Sequence, residues 1–183
     1  MTARTIGRAN RAQGLALEEA LDHQHAQYHA QGRAHMTRIP TPVTVIGRTT
    51  LDARGRACFR ACFAARTGVD FVGWARPNGQ VVPVAVEAKT HSGDDAWDSG
   101  LRPYYFDGVG GGGLTAEQAL QLRSYDHAGG IAVIILRAWG ATWCIDYEDL
   151  ATHVDDVNRR TVRPTEVGDI GRRLVGVDWL GVG

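Results

Sequence analysis

GVDFVGWARPNGQVVPVAVEAK, residues 68–89, is the stretch that decides the fold. Asn78-Gly79 is the strongest short hairpin signal a sequence carries, because both residues tolerate the positive φ angles of a type I′ turn. The flanks alternate as strands do: Val84, Val86 and Ala88 are apolar on one face, while Ala85, Glu87 and Lys89 take the other. If Asn78 and Gly79 are the two turn residues, Pro77 faces Gln80 and each facing pair sums to 157. Asp70 then falls opposite Glu87, with Lys89 on the same face, and side chains opposed in this way lie about 5 Å apart. Pro83 lacks an N–H and marks the second strand for an edge position or a bulge, and a bulge would break this arithmetic.

Two facing carboxylates repel each other unless something compensates. A divalent cation does so, and Mg²⁺ takes one or two carboxylates together with water and phosphate oxygens. Such a site polarises a phosphodiester and generates a nucleophile. Lys89 is the only lysine among 183 residues, in a chain with 19 arginines. Unlike Arg, it offers a compact charge that can orient an attacking water or neutralise a phosphate. The residues alone leave a second reading open, a surface salt bridge between Glu87 and Lys89 at a strand end.

Composition bounds the rest. A hydrophobic content of 44% and a charged content of 22% are those of a globular domain. No apolar run approaches the roughly 18 residues of a membrane span. The start, MTARTIGRANRAQG, has no apolar core of a secretory signal. An odd cysteine count (Cys58, Cys62 and Cys144) without a CxxC pair fits a reduced, cytoplasmic setting. The net charge is zero but unevenly spread: ten Arg against four acids in residues 1–66, and ten bases against sixteen acids in residues 67–183. The basic third suits a phosphate backbone or, equally, a solvated surface.

Along the chain, residues 1–13 read as a basic flexible arm. Residues 14–31 read as a helix with Leu17, Leu21, Gln24 and Tyr28 on one face and Gly32 ending it. Val43–Ile46 is β-rich behind Pro40 and Pro42. Residues 47–66 interleave arginines with Phe59 and Phe63 and read as an excursion from a core spanning 14–150. Residues 114–129 read as a helix with Thr115 as N-cap. Ile131–Leu136 reads as a buried strand followed by another, and residues 151–183 form a tail in which RRLVGVDWL docks on the domain or on a partner. The order predicts an α/β fold with a mixed central β-sheet flanked by helices.

Other features carry less. GVGGGG (108–113) lacks the Lys-Ser/Thr of a phosphate loop. His23, His25 and His29 read as a polar helix face rather than a zinc site. Cys58 and Cys62, four apart, read as small residues of a stalk helix or as a chance pair. Asp94, Asp95 and Asp98 read as a solvated acidic loop.

Asp70, Glu87 and Lys89 together resemble the D…(D/E)xK signature of the PD-(D/E)xK nuclease superfamily, with Val69 in place of the proline. The motif order resembles that of RecU-type Holliday junction resolvases. Asn10-Arg11 and Gly14 precede LALEEAL. Pro40-Thr41-Pro42-Val43 follows, then the 47–66 insertion, then Gly68–Gly73. Glu87-Ala88-Lys89 comes next, then Glu117-Gln118 and the apolar strand Gly130–Leu136. The resemblance implies a restriction-endonuclease-like core with an inserted stalk. It also implies a homodimer that makes paired symmetric nicks in four-way junctions during recombination and repair, in the cytoplasm and at the nucleoid when acting. Asp70 and Glu87 would bind Mg²⁺, with Mn²⁺ able to substitute, and Lys89 would act at the water or scissile phosphate. Glu18 would join the acids, with Glu19 as fallback. Gln118 would orient water or phosphate ahead of Gln121. Arg8, Arg11, Arg48, Arg54, Arg56, Arg60, Phe59 and Phe63 would contact DNA. Two departures stand out: Gly68 replaces a threonine, and the interval from Lys89 to Gln118 is longer than the resemblance implies. The alternatives are another endonuclease of this superfamily cutting duplex, or a non-catalytic junction binder.

Overall fold

The structure is a computed structural model. It describes residues 3–40, 43–45, 50–51, 57–58, 61–63, 68–90, 113–156, 162 and 164–181, with side chains at 12–40, 68–90, 113–154, 162 and 166–181. Helix α1 runs Ala3–Ala30, so it begins well before the expected start at residue 14. The Ala, Arg and Gln of the first residues are good helix formers, and one Gly inside a helix is tolerated at a cost of about 1 kcal/mol. The helix stops where the sequence says. Gly32 adopts φ +68, and the N–H groups of Gly32 and Arg33 return to His29 and Tyr28 carbonyls, closing a glycine C-cap of the Schellman type.

Six strands build the main sheet: β1 (Ala34–Arg38), β6 (Phe71–Ala75), β7 (Val82–Thr90), β8 (Ile131–Ala138), β9 (Ala141–Asp146) and β10 (Gly171–Arg173), in the spatial order β1-β6-β7-β8-β9-β10. All neighbours are antiparallel except β7 and β8, which are parallel and joined across α2 (Ala116–His127). This is the mixed α/β sheet expected. The remaining strands, β2 (Val43–Val45), β3 (Thr50–Leu51), β4 (Ala57–Cys58) and β5 (Ala61–Phe63), form two separate antiparallel pairs, β2 with β5 and β3 with β4. Two expectations change here. The β-rich run at Val43 does not enter the main sheet; β1 occupies that place. Cys58 and Cys62 lie in β4 and β5, so no helix carries them.

The hairpin register is the expected one. Every β6–β7 pair, from Phe71 with Val86 to Ala75 with Val82, sums to 157, and no bulge intervenes. Asn78 (φ 53, ψ 29) and Gly79 (φ 82) make the tight turn, with Gln80 N–H donating to the Pro77 carbonyl at 3.1 Å. Pro83 is accommodated inside the sheet rather than at its edge: it precedes Val84, the first β7 residue that pairs with β8, so that ladder needs no donor from it.

Helices cover both faces of the sheet. On one, Leu17, Leu21 and Tyr28 of α1 pack with Phe71, Val84, Val86, Val133 and Ile135. On the other, α2 packs with α3 (Tyr147–Asp156) and α4 (Pro164–Ile170) through Leu122, Leu150, Val154, Val167, Ile134 and Leu136. The tail docks on this chain's own core. Leu174, Val177 and Trp179 join the α1 layer, and Tyr28 donates to Asp178 at 2.6 Å.

His25 is not on a polar face. It is 5% exposed, wedged against Phe71 and Trp179, and its Nε2 accepts the Trp179 indole N–H at 3.0 Å. Burial lowers its pKa from 6.5 to about 4. The neutral imidazole therefore contributes stability that is full above about pH 6.5 and is lost as pH falls towards 4, by about 3 kcal/mol for this one group. Urea unfolding at pH 7 and 4.5 should show that loss. A His25→Gln variant, which keeps an acceptor but does not titrate, should lose measurably less.

Candidate active site

The site forms where β6 ends and β7 continues. Asp70 stands one residue outside β6, so the ladder does not extend to an Asp70–Glu87 pair; instead Asp70 Oδ2 accepts the Ala88 N–H at 2.8 Å. Its backbone carbonyl takes the Ile39 N–H at 2.7 Å. Burial raises the Asp70 pKa, opposed by the Ala88 N–H and by Lys89 and Arg38.

Glu87 is 1% exposed. Strand alternation turns it away from α1 and under α2, into the layer of Ile134 and Leu136, its neighbour's same-face residues. Lys89 Nζ lies 2.7 Å from Glu87 Oε1, and Gln118 Nε2 donates to the same oxygen at 2.6 Å. Lys89 Nζ also donates to Gln118 Oε1 at 3.2 Å. Burial pushes the Glu87 carboxyl up to about 7, reinforced by the Asp70 charge and opposed by Lys89. Glu87 and Lys89 thus form an ion pair whose carboxylate is buried while the lysine keeps partial exposure, not a pair on the open surface.

Glu87 Oε2 is buried and, among the described residues, makes no hydrogen bond of good geometry, although the Asp70 backbone N–H lies near enough to the carboxylate to favour its charge. With Asp70 beside it, the oxygens are of the kind Mg²⁺ takes, so the residues fit such an ion. Among the described residues no group of three or more His, Cys, Asp or Glu converges on one point. Glu18 does reach the Asp70 side: the two line one cavity of about 420 Å³ with Arg38, Ile39 and Pro40. Its carboxylate is, however, held by Arg38, which also bonds Asp22 at 3.1 Å. Glu19 is exposed, so Glu18 is the acid of that pair facing the site. Arg38 is the residue sequence reasoning missed. It is one of 19 arginines, and nothing in HMTRIP marks it before β1 places it between Glu18 and Asp70.

Gln118 comes from the first turn of α2, where it does two jobs. Thr115 Oγ1 accepts the Gln118 N–H at 3.2 Å, and Gln118 Oε1 accepts the Thr115 N–H at 2.9 Å, a complete capping box. The N-cap expected from sequence therefore also fixes the amide that contacts Glu87 and Lys89. Thr115→Ala should lower stability by about 1 kcal/mol in urea unfolding, and Thr115→Ser should restore it. Gln121 is turned to a different partner: its Oε1 accepts the Val69 N–H at 2.9 Å. Arg48, Arg54, Arg56, Arg60 and Phe59 lie outside the described residues, as does the 91–112 stretch with Asp94, Asp95 and Asp98. For Arg8, Arg11 and Phe63 only the backbone is described, in α1 and β5.

Fold and geometry together define a class: an α/β protein with two carboxylates and an amine gathered at the end of a β-hairpin. Over residues 12–97 the chain matches the RecU family, recombination protein U, as the motif order led one to expect. No curated protein matches the chain. The matched stretch includes Glu18, Asp70, Glu87 and Lys89, and Gln118 lies beyond it. Among the described residues no helix is long and apolar enough to cross a membrane.

Proposed function

We propose that the protein is a Mg²⁺-dependent, structure-selective endodeoxyribonuclease that resolves four-way DNA junctions as a homodimer, by paired symmetric nicks in recombination and repair. The observation that carries this reading is the buried, unpartnered Glu87 Oε2 beside Asp70, Lys89 and Gln118, within a chain that matches recombination protein U. Asp70 and Glu87 would hold the ion, with Mn²⁺ able to replace it. When bound, it supplies positive charge at the scissile phosphate and lowers the pKa of water.

The chain's own groups do the rest. Lys89 Nζ, held by Glu87 and Gln118, faces the attacking water or a non-bridging phosphate oxygen. Gln118 keeps both groups in place through its four-way set of contacts. In the reaction the water oxygen bonds phosphorus and loses a proton, the P–O3′ bond breaks, and the 3′ oxygen gains a proton. The products are 5′-phosphate and 3′-hydroxyl ends. Arg38 and Glu18, which line the cavity beside Asp70, would meet the neighbouring backbone.

The test is cleavage of a synthetic four-way junction and of linear duplex with the same arm sequences, each with Mg²⁺ and with EDTA. Mg²⁺-dependent cutting of the junction in preference to the duplex is expected. Equal cutting of both would replace junction resolution with a duplex endonuclease, and binding without cutting would replace catalysis with junction recognition.

A further inference from the structure

We propose that Gln121 is a positioning residue for Asp70, and that residue 68 is glycine because the Gln121 carboxamide fills the space its side chain would take. The inference rests on the nuclease reading of Asp70 and Glu87. Asp70 sits on a short approach, Gly68–Asp70, that precedes β6 and so lacks the strand ladder. What fixes it is a set of single contacts. The Asp70 carbonyl accepts from Ile39, its carboxylate accepts from Ala88, and the N–H just before it, on Val69, is capped by Gln121 Oε1 at 2.9 Å.

A Cβ at position 68 would stand 1.7 Å from Gln121 Oε1 and 2.9 Å from its Cδ. Any side chain there expels the amide from Val69. The Val69 side chain is 1% exposed and packs in the α2 layer with Leu122, so the strut between α2 and this segment is both apolar and hydrogen-bonded. Gln118 and Gln121 are three residues apart and share one face of α2. One turn of helix therefore addresses both strands of the site: Gln118 reaches Glu87 and Lys89 on β7 and, more distantly at 3.5 Å, the Gly68 carbonyl, while Gln121 holds the Val69 N–H next to Asp70. The distance between the two carboxylates is set by α2 as well as by the hairpin.

Gly68→Ala and Gln121→Leu attack the same bond from opposite sides. They are made singly and together in the full chain. Three quantities are read: amide hydrogen exchange of Val69, affinity for Mg²⁺ alone by calorimetry, and kcat and KM on a four-way junction. Each single variant is expected to expose the Val69 amide, weaken Mg²⁺ binding, and lower kcat by about 10–100-fold with KM unchanged, the usual cost of losing a group that orients a ligand. The double variant should be no worse than the worse single, because both changes remove one interaction. Unchanged Val69 exchange, unchanged kcat and Mg²⁺ affinity, or multiplicative losses in the double variant would each overturn the proposal. Should Gln121→Leu not fold, Gly68→Ala decides, since it displaces only the flexible end of Gln121 and changes no residue of α2. A wild-type protein that cuts no DNA refutes the nuclease reading instead. Val69 exchange and Mg²⁺ affinity then still test the role of Gln121.

Discussion

Glu87→Gln should abolish Mg²⁺-dependent junction cutting, by about 10²–10⁴-fold in kcat, while making the folded protein more stable near pH 8. Both effects follow from burial. The ionised carboxylate is 1% exposed and its pKa is raised to about 7, so folding disfavours its charge. The sign can be followed through the titration. Between about pH 4.5 and 7 the folded chain holds a proton that the unfolded chain releases, so stability falls as pH rises through this window and is flat above it. The penalty at pH 8 is on the order of 3 kcal/mol, which the neutral amide avoids. Urea unfolding of both proteins at pH 5 and pH 8, without metal, should show a gap at pH 8 that closes at pH 5. The same pKa makes proton and cation compete for one carboxylate, so the wild type should bind Mg²⁺ more tightly at pH 8 than at pH 6. A glutamine variant that still cuts the junction would remove Glu87 from the chemistry, and one less stable than wild type at pH 8 would contradict its desolvation.

Lys89→Arg should be nearly as damaging as Lys89→Ala, each losing about 10²-fold or more in kcat. Conserving the charge does not conserve the geometry. Lys89 Nζ is a single point, 2.7 Å from Glu87 Oε1 and 3.2 Å from Gln118 Oε1, and the side chain is 22% exposed. A guanidinium is planar and presents a fork of donors that suits both oxygens of a carboxylate. In this place it would draw in Glu87 Oε2, the atom the native arrangement leaves unpartnered, and so compete with a cation for it. The alanine variant fails differently: without the Lys89 ammonium, nothing offsets the burial of Glu87 as strongly and its carboxyl titrates higher still. The Mg²⁺ requirement of Lys89→Ala should therefore shift to higher pH, measured as the half-saturating Mg²⁺ concentration at pH 7 and 8.5. Near-wild-type cutting by Lys89→Arg would show that charge alone suffices.

Some of this was legible because it is local. The register of β6 on β7 follows from the turn chemistry of Asn78-Gly79 and a period of two, and neither needs the rest of the chain. The Thr115 cap and the Gly32 stop are likewise properties of a few adjacent residues. Strand β1 was not legible. Its residues, AHMTR, have a mostly exposed pattern and become a strand only because β6 offers a partner edge. His25 was misread for a similar reason: the indole that buries it, Trp179, is 154 residues away. The early start of α1 is hidden because a polar, Arg-rich composition suggests a loose arm, whereas helix propensity summed over the segment favours continuation.

Turn chemistry and strand period alone put Asp70, Glu87 and Lys89 at one end of a single hairpin, in a chain with no other lysine, although the ladder stops at Phe71 with Val86. Only the tertiary structure decided their chemical state. Packing of α2 across β7 and β8 strips water from Glu87 and raises its carboxyl, while Asp70 lines the cavity shared with Glu18 and Arg38. It also chose between glutamines, sending Gln118 to Glu87 and Gln121 to Val69. Desolvation depends on every element that covers a residue, and those elements are scattered along the chain, so no local pattern carries it.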